Sequence, residues 1–191
     1  MVGLSIVDVE VTVLLMHSCV DAHLLAYNAC PSSRAAVLLS LLSDSCVVAP
    51  AVASLQGQQS NTRGGPFAVL NGSLATDVLV VALSAGAKLQ QPLHILHVST
   101  PAAAGASSSG PVLNASAGRL IVSLGANASC EVVEEFVSDA AGTHVSMPVA
   151  EVVLGQGSEL KHGYVQREAA GAQHYKATLV KQVGLKLSDR L

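Results

Sequence analysis

His94 and His97 are a closely spaced pair with the chemistry to hold a metal ion, since neutral imidazole is the commonest side-chain ligand for transition metals. Their setting, Leu-His-Ile-Leu-His-Val after Pro92, reads as a strand. Residues three apart on a strand point to opposite faces, so the two rings cannot meet at one ion. Glu134 and Glu135 are separated by the same alternation and make no paired-carboxylate acid/base device. One of them is expected to face solvent and the other to contact a neighbouring coil. Lys161 and His162 also point apart, and a lone histidine on an apolar strand reads as a hydrogen-bonded structural residue. Cys19, Cys30, Cys46 and Cys130 lack the Cys-x-x-Cys spacing of a zinc or redox site. They read as buried or idle thiols, and Cys130 has no Lys, Arg or His beside it in sequence to lower its pKa. Neither a Gly-x-x-x-x-Gly-Lys-Ser/Thr loop nor a Gly-x-Gly-x-x-Gly turn occurs, so any ATP hydrolysis must come from a partner. The expectation is a protein that is not an enzyme, with no catalytic residues and no metal ligands; cofactor-binding residues remain unassigned.

The elements that must position these residues repeat. The chain reads Leu-Gly-Ala-Asn-Ala-Ser-Cys-Glu-Val-Val-Glu-Glu-Phe at 124–136 and Leu-Gly-Gln-Gly-Ser-Glu-Leu-Lys-His-Gly-Tyr-Val-Gln at 154–166, with a looser copy starting at Leu83-Ser-Ala-Gly86. Each copy is a β-branched run, a tight corner and another run. The two Leu-Gly corners lie about 30 residues apart, the spacing of stacked coils in a β-solenoid. They should occupy equivalent corners of successive coils, with glycine supplying positive φ. Strands are expected at 77–83, 92–99, 119–124, 130–137, 145–154, 159–166 and 174–183. Residues 100–118, dominated by Ala, Ser, Gly and Pro, read as a flexible insertion. Residues 1–63 form a separate N-terminal region, poorly ordered or partly helical, in which 6–13 alternates like a strand and 35–42 reads as helical. The solenoid core occupies 64–191 and stops with an uncovered coil end.

Composition narrows the class. The chain has 191 residues, half of them hydrophobic and only 12% charged, with few aromatic rings. A core of Val, Leu, Ala and Ile suits thin, regularly stacked β layers. A net charge of −3 without a basic stripe argues against nucleic acid. The most apolar stretch, 35–55, is interrupted by Asp44 and Pro50, and a carboxylate within a span costs roughly 2.5–3.5 kcal/mol, so no membrane span is expected. Residues 1–15 have no base and carry Asp8 and Glu10, unlike a signal peptide, and 1–60 hold one Arg against four acids, unlike a transit peptide. The Asn-x-Ser sequons at Asn71, Asn114 and Asn127 read as turn chemistry.

At Phe67-Ala-Val-Leu-Asn-Gly-Ser-Leu-Ala-Thr-Asp-Val and Ala85-Gly-Ala-Lys-Leu-Gln-Gln-Pro-Leu-His-Ile the chain resembles the SufB/SufD family of iron–sulfur cluster assembly proteins, more closely SufD. The likeness continues through Arg119-Leu-Ile-Val-Ser-Leu-Gly, Glu131-Val-Val-Glu-Glu-Phe and Ala150-Glu-Val-Val-Leu-Gly-Gln-Gly-Ser-Glu-Leu-Lys-His-Gly-Tyr-Val-Gln-Arg-Glu, and covers about 66–183. It implies an all-β fold, an incomplete right-handed parallel β-helix, acting as a scaffold with a SufB-like β-helix subunit and a SufC-like ATPase. It implies no cluster bound stably by this chain, the iron–sulfur cluster belonging to the assembled complex. The family's later Cys and His residues and its Cys-Ser-His-Gly-type motif are absent, so the chain is similar to the N-terminal part of a SufD core, as if read from a truncated gene. The resemblance implies the plastid stroma in an alga or plant and the cytoplasm in a bacterium. Two other readings stand beside it. One is a carbohydrate-active β-helix enzyme, which would need carboxylates stacked on consecutive coils; the other is a non-functional β-solenoid interaction remnant.

Overall fold

The computed structural model describes residues 57, 59–75, 78–99, 114–138 and 143–184 in full and, as backbone alone, 3–6, 9–15, 23–28, 36–38 and 112–113. In chain order the elements are β1 (Gly3–Ile6), β2 (Val9–Leu15), β3 (His23–Asn28), β4 (Ala36–Leu38), α1 (Ser60–Arg63), α2 (Gly65–Leu74), β5 (Val78–Leu83) and β6 (Leu93–Ser99). There follow β7 (Val112–Ser116), β8 (Arg119–Leu124), β9 (Ser129–Ser138), β10 (His144–Ser146), β11 (Val149–Leu154), β12 (Glu159–Arg167), β13 (Ala172–His174) and β14 (Ala177–Gln182).

From β5 onward consecutive strands never pair with each other. Each passes to the next of three sheets and pairs in parallel with the strand three places further on. The sheets run β14-β11-β8-β5-β4, β12-β9-β6-β2-β3 and β1-β7-β10-β13. Parallel strands need a crossover, and here the other two strands of each circuit supply it in place of a helix. The N-terminal strands extend these sheets: β4 and β1 pair in parallel with β5 and β7, and β2 pairs antiparallel with both β6 and β3. Strands before residue 63 are thus hydrogen-bonded to strands after it.

The Leu-Gly corners stack as expected. Leu83, Leu124 and Leu154 are register partners, and Gly125 N and Gly155 N each donate at 2.8 Å to the leucine carbonyl of the circuit before. The reason for glycine differs from the expected one. Positive φ falls further along, at Gly86 (77°), Asn127 (58°) and Gly157 (68°), and asparagine is one of the few L-residues that visits that region readily. Gly125 and Gly155 are required by proximity: a Cβ on Gly125 would lie 2.5 Å from Ala85 N, and one on Gly155 2.8 Å from Ala126 N. Gly125→Ala is therefore expected to cost about 1–3 kcal/mol through overpacking against backbone. Gly163→Ala, whose Cβ would meet Val133 Cγ2 at 3.4 Å, should cost far less. Urea denaturation of the two variants measures the difference; equal costs would refute the steric account.

The expected strands at 145–154 and 174–183 each divide at a two-residue corner, Met147-Pro148 and Tyr175-Lys176. Pro148 cannot donate to a ladder, and Tyr175 N bonds to Ser146 O across the stacked corners. The expected insertion over 100–118 also needs correction. Val112–Ser116 forms β7 between β1 and β10, with Ala117 and Gly118 as its corner, while 100–111 lie outside the described residues. Its small polar residues carry no strand signal, and neighbouring strands specify it. Ala36–Leu38, inside the stretch expected to be helical, is a strand; the rest of that stretch and most of 1–56 lie outside the described residues.

Alternate residues of β5, β8 and β11 fill the interior in layers: Leu79, Val81 and Leu83, then Leu120, Val122 and Leu124, then Ala150, Val152 and Leu154. The opposite face is buried too, because residues 57 and 59–74 lie against it. Glu151 accepts from Gly57 N at 2.8 Å, Gln59 N at 3.1 Å, the Ser60 hydroxyl at 2.9 Å and Arg119 Nη1 at 3.1 Å. Arg119 Nε donates to Asn71 Oδ1 at 2.9 Å, and Asn71 Nδ2 donates to the carbonyls of Gly118 and Met147. Burial pushes the Arg119 guanidinium below its usual pKa, opposed by the Glu151 charge. Helix α2 escaped the sequence reading because its apolar residues share no buried face: Phe67, Val69 and Leu70 are exposed, while Ala68 and Asn71 are buried.

Candidate functional site

Strands β6, β9 and β12 present alternate residues to the interior, and along each of them the chemistry changes. The inward positions begin apolar, with Leu93 and Ile95, Cys130 and Val132, and Leu160. They continue as His97, as Glu134 and Phe136, and as His162, Tyr164 and Gln166. The third sheet adds His144 from β10 and His174 from β13, and Lys176 enters from the corner before β14. One end of the interior is therefore aliphatic and the other is a cluster of carboxylates, imidazoles and one ammonium.

Glu134 is the hub and is 1% exposed. Its Oε2 accepts from His97 Nε2 at 3.2 Å, and its Oε1 accepts from His162 Nε2 at 2.7 Å and Lys176 Nζ at 2.6 Å. Burial pushes this carboxyl up, but the hydrogen bonds from His162 and His97 and the charges of Lys176 and His97 outweigh it and hold the group well below the usual carboxylate range. Glu168 is a second hub: Gln166 Nε2 lies at 3.0 Å, His144 Nε2 at 3.3 Å and His174 Nδ1 at 2.7 Å. Its pKa is also lowered, burial being outweighed chiefly by His174 and His144. Phe136 joins the two hubs. His97 stacks on it at 4.2 Å, His174 meets its edge at 4.9 Å, and the Lys176 ammonium lies 5.2 Å from its ring centre. Such a cation–π contact contributes about 0.5–2 kcal/mol depending on desolvation. Tyr164, beside Phe136 and His174, has its pKa raised by burial and by Glu168 and Glu134.

His94 and His97 do lie on opposite faces, each with its own carboxylate: His94 Nε2 sits 2.9 Å from Glu135 Oε2 on the outer side, where Arg167 also binds Glu135. Glu134 and Glu135 also point apart, but both are buried, which corrects the expectation that one faces solvent. Stacking of circuits explains it, since each carboxylate reaches basic side chains on the strands beside it. Lys161 lies outside, 4.0 Å from its register partner Glu131, an exposed pair of little energetic weight. His162 lies inside on Glu134. Cys130 lies in the aliphatic half of the interior, where burial pushes its thiol up to about 11 and keeps it protonated at neutral pH. Among the described residues no three His, Cys, Asp or Glu side chains converge so as to hold a metal ion. Nor do consecutive coils stack outward carboxylates at Glu131, where Lys161 follows.

The meeting of His97, Glu134, His162, His174 and Lys176 was not anticipated. Part of it was readable: with coils offset by about 30 residues, His162 falls two places before the partner of Glu134 and so on the same face. His97 was not, because its alignment with Phe136 spans the stretch 100–111, whose length no repeat calibrates.

The family described as "SUF system FeS cluster assembly, SufBD core domain" matches residues 105–184. This segment is thus similar to the SufB/SufD family. A protein of Arabidopsis thaliana named "Protein ABCI7, chloroplastic" is 33% identical over 120 residues, covering 62% of this chain and 25% of the relative. The chain thus spans about a quarter of the length of the curated relative it matches. No solved structure matches it. The SufBD-core segment contains β7 to β14 and every member of the interior cluster except His97, which precedes it. Among the described residues no helix is long and apolar enough to cross a membrane.

Proposed function

We propose that this chain is a SufD-like scaffold subunit, or part of one, in SUF iron–sulfur cluster assembly, folded as a right-handed parallel β-helix and acting by binding partners and not by catalysis. The observation that carries this reading is the coincidence of the SufBD-core match with the strands that circulate through three parallel sheets. The site chemistry supports it. The interior carboxylates are already satisfied by imidazoles and an ammonium, and the one described cysteine is a buried, protonated thiol. The partners are a SufB-like β-helix and a SufC-like ATPase, which would supply ATP hydrolysis. The plastid is the proposed compartment, on the strength of the chloroplastic relative.

The test is co-purification of the chain with SufB-like and SufC-like proteins, together with anaerobic reconstitution of the chain alone with iron and sulfide. The expected outcome is a stable complex, and no cluster left on the isolated chain after desalting. A stoichiometric cluster retained by the chain alone and lost in Cys130→Ser would overturn the scaffold reading.

A further inference from the structure

We propose that Asn71-Gly72 is a deamidation site closed by folding: the Asn71 amide is protected while α2 lies on the sheet, is hydrolysed to a carboxylate once α2 lifts, and the carboxylate then keeps α2 from returning.

Asn71 is the one asparagine of the chain that is followed by glycine. In such a pair the backbone nitrogen of the second residue attacks the side-chain carbonyl carbon of the first, and glycine, without a Cβ, leaves the approach open. The new bond runs from Gly72 N to Asn71 Cγ. The bond from Cγ to Nδ2 breaks, Nδ2 leaves as ammonia, and the Gly72 nitrogen gives its proton to solvent. Water then opens the cyclic imide at either carbonyl, leaving an aspartyl or an isoaspartyl residue at 71. Water is consumed and ammonia released, with no oxidant or reductant.

Folding blocks that attack. Asn71, whose sequon reads as turn chemistry, lies within a helix and is fully buried. Its Nδ2 donates to Gly118 O at 3.0 Å and to Met147 O at 2.7 Å, and its Oδ1 accepts from Arg119 Nε at 2.9 Å. The carboxamide cannot turn toward the Gly72 nitrogen without giving up these bonds, and a helical backbone directs that N–H to the carbonyl four places back. Little else holds the helix. Ala68 and Asn71 are its buried residues, Phe67 stacks on Tyr175 at 3.9 Å, and Val69 and Leu70 are exposed. An element with so few buried apolar contacts belongs to the part of a fold that opens first.

The product does not fit the place the amide leaves. A carboxylate oxygen in the position of Nδ2 faces two carbonyls with no proton to offer, and buried acceptors without donors are costly. Turning both oxygens toward the guanidinium, whose Nη2 has no partner, withdraws the donor from both carbonyls. The isoaspartyl product also lengthens the backbone by a carbon and breaks the helical repeat. Opening followed by hydrolysis is therefore a one-way step.

The test incubates the whole 191-residue chain at mildly alkaline pH with and without urea and digests it with trypsin. In the peptide 64–88 Asn71 is the only amide side chain, so the mass gained on conversion of amide to acid reports this site. Conversion in the folded chain should be slower than in urea by about ten-fold or more. Gly72→Ala, whose Cβ would meet Arg119 Nη2 at 3.4 Å and Asn61 Oδ1 at 3.5 Å in ordinary contact, should fold as wild type and suppress conversion in urea. Asn71→Asp reproduces one product, and hydrogen exchange over 65–74 should then lose about ten-fold in protection while β8 and β11 keep theirs. Equal conversion in the folded and unfolded chain, conversion in urea indifferent to Gly72→Ala, or full protection of 65–74 in Asn71→Asp would overturn the proposal.

Discussion

Glu151→Ala is expected to cost about 3–5 kcal/mol, the range for breaking a buried ion pair by removing one partner. The carboxylate gathers four donors, two of them backbone amides of the segment before α1, and the Arg119 guanidinium it neutralises is 4% exposed. Truncation leaves that guanidinium buried without its counter-charge and cuts the attachment of Gly57, Gln59 and Ser60 to the sheet. For a chain of this size each kcal/mol moves the midpoint by roughly 2–4 °C, so a fall of about 10 °C is expected in thermal unfolding by circular dichroism. Early tryptic cleavage at Arg63 should accompany it, since α1 loses its anchor. Replacing both partners together, Arg119→Met with Glu151→Leu, should recover much of the loss, because an apolar pair of similar volume leaves no charge to desolvate. A single variant melting within about 2 °C of wild type would show that the pair does not fasten the segment.

Glu134→Leu is expected to cost a comparable amount, about 3–5 kcal/mol, by stranding Lys176 beside His97 and His162. It should also change the pH dependence. The Glu134 and Glu168 carboxyls lie below their ordinary pKa in the folded protein. The stability each contributes is therefore complete above the ordinary carboxylate value near 4.5 and is lost as pH falls from there toward the depressed folded value. Wild-type protein should weaken steeply below about pH 4.5, and Glu134→Leu less steeply, so the two urea midpoints converge in acid. A constant gap between them from neutral pH to about pH 3 would show that Glu134 is not the titrating partner.

Much of the architecture was legible, for a physical reason. Leu124-Gly125 and Leu154-Gly155 recur because stacked corners impose the same steric demand on each circuit, and the runs on either side follow from that period. Strand β7 was not legible, because a short strand held on both edges needs little propensity of its own. Helix α2 was not, because Asn71 and not an apolar stripe fixes it to the sheet. The alternation that barred His94 with His97, and Glu134 with Glu135, from acting as pairs was correct. What it left out was the neighbour: on stacked strands a side chain's partners lie about one circuit away in sequence, and that distance is readable only where the circuit length is known.

The three corners of a circuit differ in how much length they admit. Between the third sheet and the first, only Ala117-Gly118, Met147-Pro148 and Tyr175-Lys176 intervene, and the Leu-Gly corners after β8 and β11 are equal in length. The connection from the second sheet to the third is different each time, running from Ser99 to Val112, from Ser138 to His144 and from Arg167 to Ala172. Extra residues added there leave the register of every strand pair untouched. Among the described circuits this connection varies most in length, although the corner between β5 and β6 is also longer than its counterparts after β8 and β11. The varying connection borders the cluster of Glu134, Glu168 and their histidines, so added loop length there falls beside the charged end of the interior.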